Sequence, residues 1–284
     1  MSLWPLKIII KLLLCWVPHR HKILRKLGIF KHGKMDEAAH ALKIFKLHTD
    51  RAFPNGLPEN FTMLELGPGD SLLSALIAKS YGAGKIYLAD EGNYATTDIT
   101  LYKTAAQELN DKYKLTVPDL RNIETIEDFL KICNAHYITS GLEGLKAIPA
   151  CSVDFIWSHS VVEHIRKNDF AATMRELARI ITQDGIASHI VDLQDHLDKS
   201  LNNLRFPECI WENDIFAKAG FYTNRLRYTQ SLDLMRRAGF EVISTGTGQW
   251  DLVPLPRAKM NAEFRGLSDD ELKIRTYSVL LKAA

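Results

Sequence analysis

The sequence predicts an α/β domain with a parallel sheet covered by helices, and three observations carry that reading. From residue 60 onward, short β-like runs alternate with amphipathic helical patterns, the signature of strands joined by crossover helices. The first run, Phe61–Leu66, passes through a glycine turn into an apolar helical stretch, which is how a ligand-binding edge of such a sheet begins. The 284-residue chain is 46% hydrophobic and 25% charged, enough apolar material for a sizeable core and ordinary for a globular protein. No internal repeat or low-complexity tract interrupts it.

Residues 3–17 are apolar but carry Lys7 and Lys11, and the run is shorter than the roughly 20 residues a spanning helix needs. Pro18-His19-Arg20-His21 offers no small-residue cleavage site, so a secretory signal is not expected. Two readings stay open. One is a helix packed on the domain. The other is an in-plane membrane anchor, with Trp4 and Trp16 at headgroup level and the Lys/Arg cluster of residues 1–34 facing anionic lipid. Eight Lys or Arg and no acidic residue precede Asp36, leaving about −6 on the remainder; a basic arm therefore leads into a mildly acidic body. The expected organisation is a basic, apolar helical extension over 1–50 and one domain over 51–284, with an inserted lid at about 197–229. Cys15, Cys133, Cys151 and Cys209 show no C-x-x-C spacing. Scattered thiols suit a reducing, cytoplasmic setting, with peripheral membrane association through the arm.

After Phe61–Leu66, Leu72, Leu73, Leu76 and Ile77 mark a helix with Asp70 or Ser71 as N-cap. Strand two is Lys85–Asp90. Helices are expected over about 96–112 and 124–133, and strand three from Ala135 to Thr139. Strand four is Val153–Trp157. Phe170, Met174, Leu177 and Ile181 recur at helical spacing, with Asp169 as cap and Gly185 past the end. Strand five runs from Ile186 to Val191. A helix at Ser231–Ala238 is stopped by Gly239, and strands near Phe240–Thr245 and Arg275–Leu281 close the domain. Residues 246–266, with three glycines and two prolines, read as an irregular excursion between them.

The turn Glu65-Leu66-Gly67-Pro68-Gly69 sits where a strand hands over to a helix. Without Cβ atoms, Gly67 and Gly69 let the backbone bend sharply and approach a ligand. Asp90, about twenty residues on, ends the next strand, where a carboxylate can accept from both hydroxyls of a ribose. A nicotinamide dinucleotide fingerprint wants a third glycine, but Leu72 stands there. Glu65 instead puts a negative charge in the turn, which suits a cationic ligand without phosphate.

Met63-Leu64-Glu65-Leu66-Gly67-Pro68-Gly69 resembles the first motif of class I S-adenosylmethionine-dependent methyltransferases, and Asp90 resembles that family's ribose-binding acid. Asp154-Phe155-Ile156-Trp157-Ser158-His159-Ser160-Val161-Val162-Glu163-His164-Ile165 resembles its fourth motif. The resemblance covers residues 60–195 well and continues loosely through Ala238-Gly239-Phe240. It implies a Rossmann-like seven-stranded, mostly parallel sheet of order 3-2-1-4-5-7-6 with helices on both faces. It also implies S-adenosyl-L-methionine as cofactor, contacted by Glu65, Gly67, Pro68, Gly69, Asp90, Glu91 and Ser158. The adenine side would fall in the region Tyr137–Ser140.

Methyl transfer from a sulfonium is an in-line displacement in which the protein chiefly aligns the acceptor. A base is needed only where the acceptor must lose a proton. The candidates are His159 and His164 after strand four, and Asp192 with His196 after strand five. Asp192 and His196 are spaced to hydrogen-bond on a helical turn. Some relatives hold a divalent ion with E-x-x-E-H, but the first Glu position is Ser160 here, so no metal is expected.

The stretch 197–229 interleaves Phe206, Trp211, Phe216, Phe221, Tyr222 and Tyr228 with Arg225 and Arg227. It reads as a lid with anion-binding forks over an acceptor, or as an extra packed helix pair. The expected acceptor is a small molecule or a glycan or lipid-linked intermediate, with O-methylation the favoured reaction. Few Lys in this stretch and the acidic body disfavour nucleic acid. The readings set against this are an NAD-dependent oxidoreductase and a non-catalytic binding protein on the same fold.

Overall fold

A computed structural model describes residues 4–14 and 34–284. Trp16 and the basic residues between 18 and 33 lie outside the described residues. The elements in order are α1 (Trp4–Leu14), α2 (Ala38–Ala52), β1 (Thr62–Leu66), α3 (Leu73–Ser80), β2 (Lys85–Ala89), α4 (Ile99–Tyr113), α5 (Ile126–Cys133), β3 (Ala135–Ile138), α6 (Gly141–Leu145), β4 (Val153–His159) and α7 (Lys167–Ile180). Then come β5 (Ile181–Asp192), α8 (Glu208–Trp211), α9 (Asp214–Ala217), α10 (Tyr228–Arg237), β6 (Phe240–Gln249), α11 (Ala262–Arg265), α12 (Asp269–Lys273) and β7 (Ile274–Ala283).

The seven strands form one sheet of order β3-β2-β1-β4-β5-β7-β6, as the sequence predicts. The first five are parallel, and β7 runs antiparallel between β5 and β6. Alternate residues feed opposite cores. Met63, Ile86, Leu88, Phe155 and Trp157 meet α2 to α5, whereas Leu64, Tyr87, Ile156 and Ala187 meet α7 and α10. Because both faces are covered, the central strands read as nearly continuous apolar runs.

Several boundaries move, each for a physical reason. The expected division at residue 50 falls inside α2, whose Ala41, Leu42, Ile44 and Phe45 are buried in the main core. This helix is therefore part of the sheet domain. Leu72 rather than Asp70 or Ser71 is the N-cap of α3. Ser71 Oγ still accepts the Leu73 N–H at 3.3 Å. Asp169 lies within the first turn of α7, where its charge suits the helix dipole, and Arg166 is the N-cap. No loop follows α7: Ile181 enters the sheet at once opposite Val153, and Gly185 sits inside β5 at a register shift. A Cβ there would meet Ile181 Cγ1 at 2.7 Å, which accounts for the glycine. β6 extends to Gln249, so Gly246 and Gly248 are strand residues, and short helices fill much of what reads as an excursion.

The 197–229 stretch is a packed pair of short helices. Trp211, Phe221 and Tyr222 are buried in a cluster with Ile8 of α1. Arg227 is not an anion fork, because its guanidinium is committed to backbone carbonyls. Arg225 donates to Phe206 O at 2.6 Å. Arg227, 3% exposed, donates to the carbonyls of Leu193, Glu271, Leu272 and Ile274. Its charge is what a cluster of buried carbonyls needs, although burial pushes its pKa down to about 10. Replacing it with Met strands those acceptors, so Arg227→Met is expected to lower unfolding free energy by about 3 kcal/mol in a denaturant titration. An unchanged midpoint would show that the carbonyls find other partners.

Candidate cofactor crevice and catalytic cluster

The glycine turn has the geometry its composition requires. Gly67 and Gly69 have φ of +73° and +66°, values that side chains resist. A Cβ on Gly67 would lie 2.5 Å from the methyls of Val161. Gly67 N donates to Ala89 O at 2.7 Å, and Pro68 fixes the backbone before Gly69. Asp90 sits just past β2, its oxygens accepting from Gly69 N at 3.0 Å and Glu91 N at 2.8 Å. It thereby ties the turn to the neighbouring strand. Tyr137, in the region expected on the adenine side, uses its hydroxyl to organise the loop after Glu91: it accepts from Tyr94 N and donates to Gly92 O, each at 3.1 Å.

Glu65 is 3% exposed and accepts a hydrogen bond from Ser74 Oγ. Burial, aided by the Asp90 charge, pushes its pKa up to about 8. A buried carboxyl without a cation beside it fits a cationic ligand that supplies one.

Ser158 departs from the expected role. It is fully buried, and its Oγ is hydrogen-bonded to His189 Nδ1 at 2.8 Å, so its side chain faces the sheet interior. His159 joins a separate group on the other face: its Nδ1 lies 3.3 Å from His48 Nε2, and His48 Nδ1 lies 2.8 Å from Ser188 Oγ. Burial lowers the His159 pKa, and that of His48 still further. Motif and spacing do not point to His48. Its signal is a titratable residue on the apolar face of α2, in step with Ala41, Ile44 and Phe45.

The remaining candidates do converge. The rings of His164 and His196 meet edge to face with centroids 4.7 Å apart. His164 Nδ1 donates to Tyr222 O at 2.8 Å, which sets the tautomer that carries its proton on Nδ1. Glu163, 2% exposed, accepts the Asp192 N–H at 3.2 Å through Oε1, while its buried Oε2 has no hydrogen-bond partner among the described residues. Burial raises the pKa of Glu163 well above the carboxylate range, and raises that of Asp192 also. The helical turn expected between Asp192 and His196 does not form. Asp192 accepts the Gln194 N–H at 2.9 Å instead, and His196 acts on it through charge. Asp195 is a turn former, receiving the N–H groups of Leu197, Asp198 and Asn202. One ligand atom each from Glu163, His164 and His196 lie within 4.8 Å of one another. Two imidazoles and a carboxylate suit a transition-metal ion better than magnesium.

The buried histidines set a pH dependence of stability. His189 is held at about 4, below its ordinary 6.5, by burial, and His48 is lowered in the same sense. Between those values the unfolded histidines bind protons that the folded ones refuse, so their contribution to stability falls as pH drops from about 6.5 to 4, opposed by the buried carboxyls Glu65 and Glu163, which hold extra protons when folded. Calorimetric melts across that window are expected to isolate the histidine share as the difference in slope between wild type and His189→Gln. Equal slopes would place the titration elsewhere.

Residues 64–188 match the family described as "Methyltransferase domain". No curated protein matches the chain. Among solved structures, the chain is similar to a SAM-dependent methyltransferase from Methanosarcina mazei (16% identity, 81% of this chain and 95% of that one, TM-score 0.48). It is also similar to an S-adenosylmethionine-dependent methyltransferase from Mesorhizobium loti (13% identity, 85% and 95%, TM-score 0.46). A third is geranyl diphosphate C-methyltransferase from Streptomyces coelicolor (10% identity, 87% and 76%, TM-score 0.46). Similarity this distant says nothing about the acceptor. With the glycine turn, the acid after β2 and the strand order as described, the matched segment is a methyltransferase domain of the class I, S-adenosylmethionine-dependent family.

Proposed function

We propose that the chain methylates a hydroxyl of a small molecule or of a glycan or lipid-linked intermediate, with the His164–His196 pair receiving the acceptor's proton. The observation that carries this is their convergence at the carboxyl ends of β4 and β5, one contact from the cofactor turn. Val161 packs on Gly67 and immediately precedes the turn holding Glu163 and His164. The oxidoreductase reading has no support in a turn that lacks the third glycine.

The cofactor supplies an activated methyl group on a sulfonium. The glycine turn and Asp90 would hold it, Glu65 would meet its positive charge, and the 197–227 segment would cover the acceptor and exclude water. The His164–His196 pair would take the proton of the acceptor hydroxyl on an imidazole nitrogen as that oxygen receives the methyl group. Tyr222 O keeps His164 in the orientation and tautomer this needs.

A metal is the second reading, favoured by the spacing of Glu163, His164 and His196 and the unpartnered Glu163 Oε2. There the ion would lower the acceptor's pKa in place of a base.

Two experiments test these assignments. Glu65 is mostly protonated below pH 8 in the free protein, and a cationic ligand favours its ionised form. Affinity for S-adenosylmethionine should therefore rise with pH up to about 8, by as much as tenfold per unit, and then level. In Glu65→Gln the rise should vanish; its persistence would assign it to another group. Once mass spectrometry has found an acceptor by the gain of one methylene, His196→Gln and His164→Gln are expected to lower kcat by about 10²–10⁴-fold with S-adenosylhomocysteine affinity retained. Full activity in both variants would sink the base assignment. Loss of wild-type activity on exhaustive chelation, restored by a divalent ion, would transfer the cluster to metal binding.

A further inference from the structure

Helix α1 is sandwiched on one side only. Ile8 is buried, and Trp4 and Leu12 pack beside it, against Leu197, Trp211 and Phe221. The opposite side carries Leu6, Ile9, Ile10 and Leu13 at 52%, 56%, 48% and 66% exposure, an i, i+3, i+4, i+7 stripe of aliphatic side chains facing outward. Ile210 and Ile215, on α8 and α9 beneath it, are exposed as well. Scattered surface leucines need no explanation, but four on one helical face do.

Charge selects the occupant. All eight charged residues before Asp36 are cationic. A second copy meeting at this stripe would bring two basic arms together, whereas an anionic surface would neutralise both the stripe's exposure and the arm's charge. An 11-residue helix is about 16 Å long. No helix among the described residues is long and apolar enough to cross a membrane, so the geometry is that of a helix lying in the interface plane.

The inner side of the same helix reaches the site. Lys7 Nζ donates to Leu197 O at 2.6 Å, and Lys11 Nζ to Gly220 O at 3.0 Å and His196 O at 3.5 Å. Arg205 lies over the Trp4 ring, 5.2 Å from its centroid. These contacts fix α1 to the backbone of His196 and to both ends of the segment over the acceptor.

We propose that the outer stripe of α1 inserts into the headgroup–acyl boundary of an anionic bilayer, and that Lys7 and Lys11 transmit this seating to His196 and the 197–222 segment. The seating itself is independent of the chemistry proposed above; its use in presenting a lipid-linked acceptor rests on that reading.

The full chain is to be sedimented with vesicles of phosphatidylglycerol and phosphatidylcholine. Binding is expected at low salt, falling severalfold by 0.5 M salt as charges are screened, and at least tenfold in Ile9→Asp/Leu13→Asp. Hydrogen exchange in 197–222 should slow on the vesicles in wild type only. Thermal stabilisation by S-adenosylhomocysteine, expected to be equal in both proteins, confirms that the variant is folded and tests the cofactor site separately. The proposal falls if a stabilised wild-type chain stays in the supernatant, or if pure phosphatidylcholine vesicles bind it as well. It also falls if the double variant sediments like wild type, or if the stripe instead mediates a concentration-dependent dimer that the double variant loses. Unchanged exchange in 197–222 on bound vesicles would overturn the transmission to the site.

Discussion

Val161 lies so close to Gly67 that no side chain fits between them, and this contact sets the layout of the crevice. It presses the turn leaving β1 against the turn leaving β4. The first holds the cofactor's place and the second carries Glu163 and His164. A parallel sheet sends both turns out at its carboxyl edge, and the missing Cβ decides how near they come. Asp90 fixes the same turn from the other side through Gly69 N. The bend is thus clamped between the two strands that flank β1, and the side chains beyond Val161 inherit that position.

Around this clamp the protein places ionisable groups where water cannot reach them. Glu65 and Glu163 are both buried carboxyls raised in pKa, and each lacks a cationic partner among the contacts described. Such groups cost stability unless something compensates them. Both stand where β1 and β4 deliver the chain to the carboxyl edge of the sheet, the edge at which ligands of such sheets enter. Arg227 shows the opposite case: a buried cation whose two Nη atoms donate to carbonyls, holding β5, the segment before α10 and the start of β7 together.

The strand order, the glycine turn and the acid after β2 were legible in the sequence because each depends on local composition: apolar runs, glycines where φ is positive, a carboxylate at a strand end. The convergence of His164 with His196 was legible only in part. Adjacent strands could be inferred to deliver them, but the expected Asp192–His196 pairing assumed a helical turn that Gln194 N displaces by satisfying Asp192 first. The placement of Ser158 and His48 was not legible in the sequence. Alternation along a strand says that successive side chains oppose each other, and not which face holds the ligand; Ser158 pairs inward with His189, and α2 delivers His48 from a region whose basic neighbours disguised it as a tail. Arg227 reads as an anion fork in the sequence because its buried carbonyl partners are distant along the chain.

The protonated state of Glu65 gives loading of the crevice a thermal signature. If a cation enters beside a carboxyl that titrates at about 8, the proton it displaces is taken up by the surrounding solution. The heat of association measured near neutrality then contains the ionisation enthalpy of whichever buffer accepts that proton. The heats of the same association recorded in phosphate and in Tris would differ by the number of protons released multiplied by the difference between the two buffers' ionisation enthalpies, a count that requires neither an acceptor nor turnover.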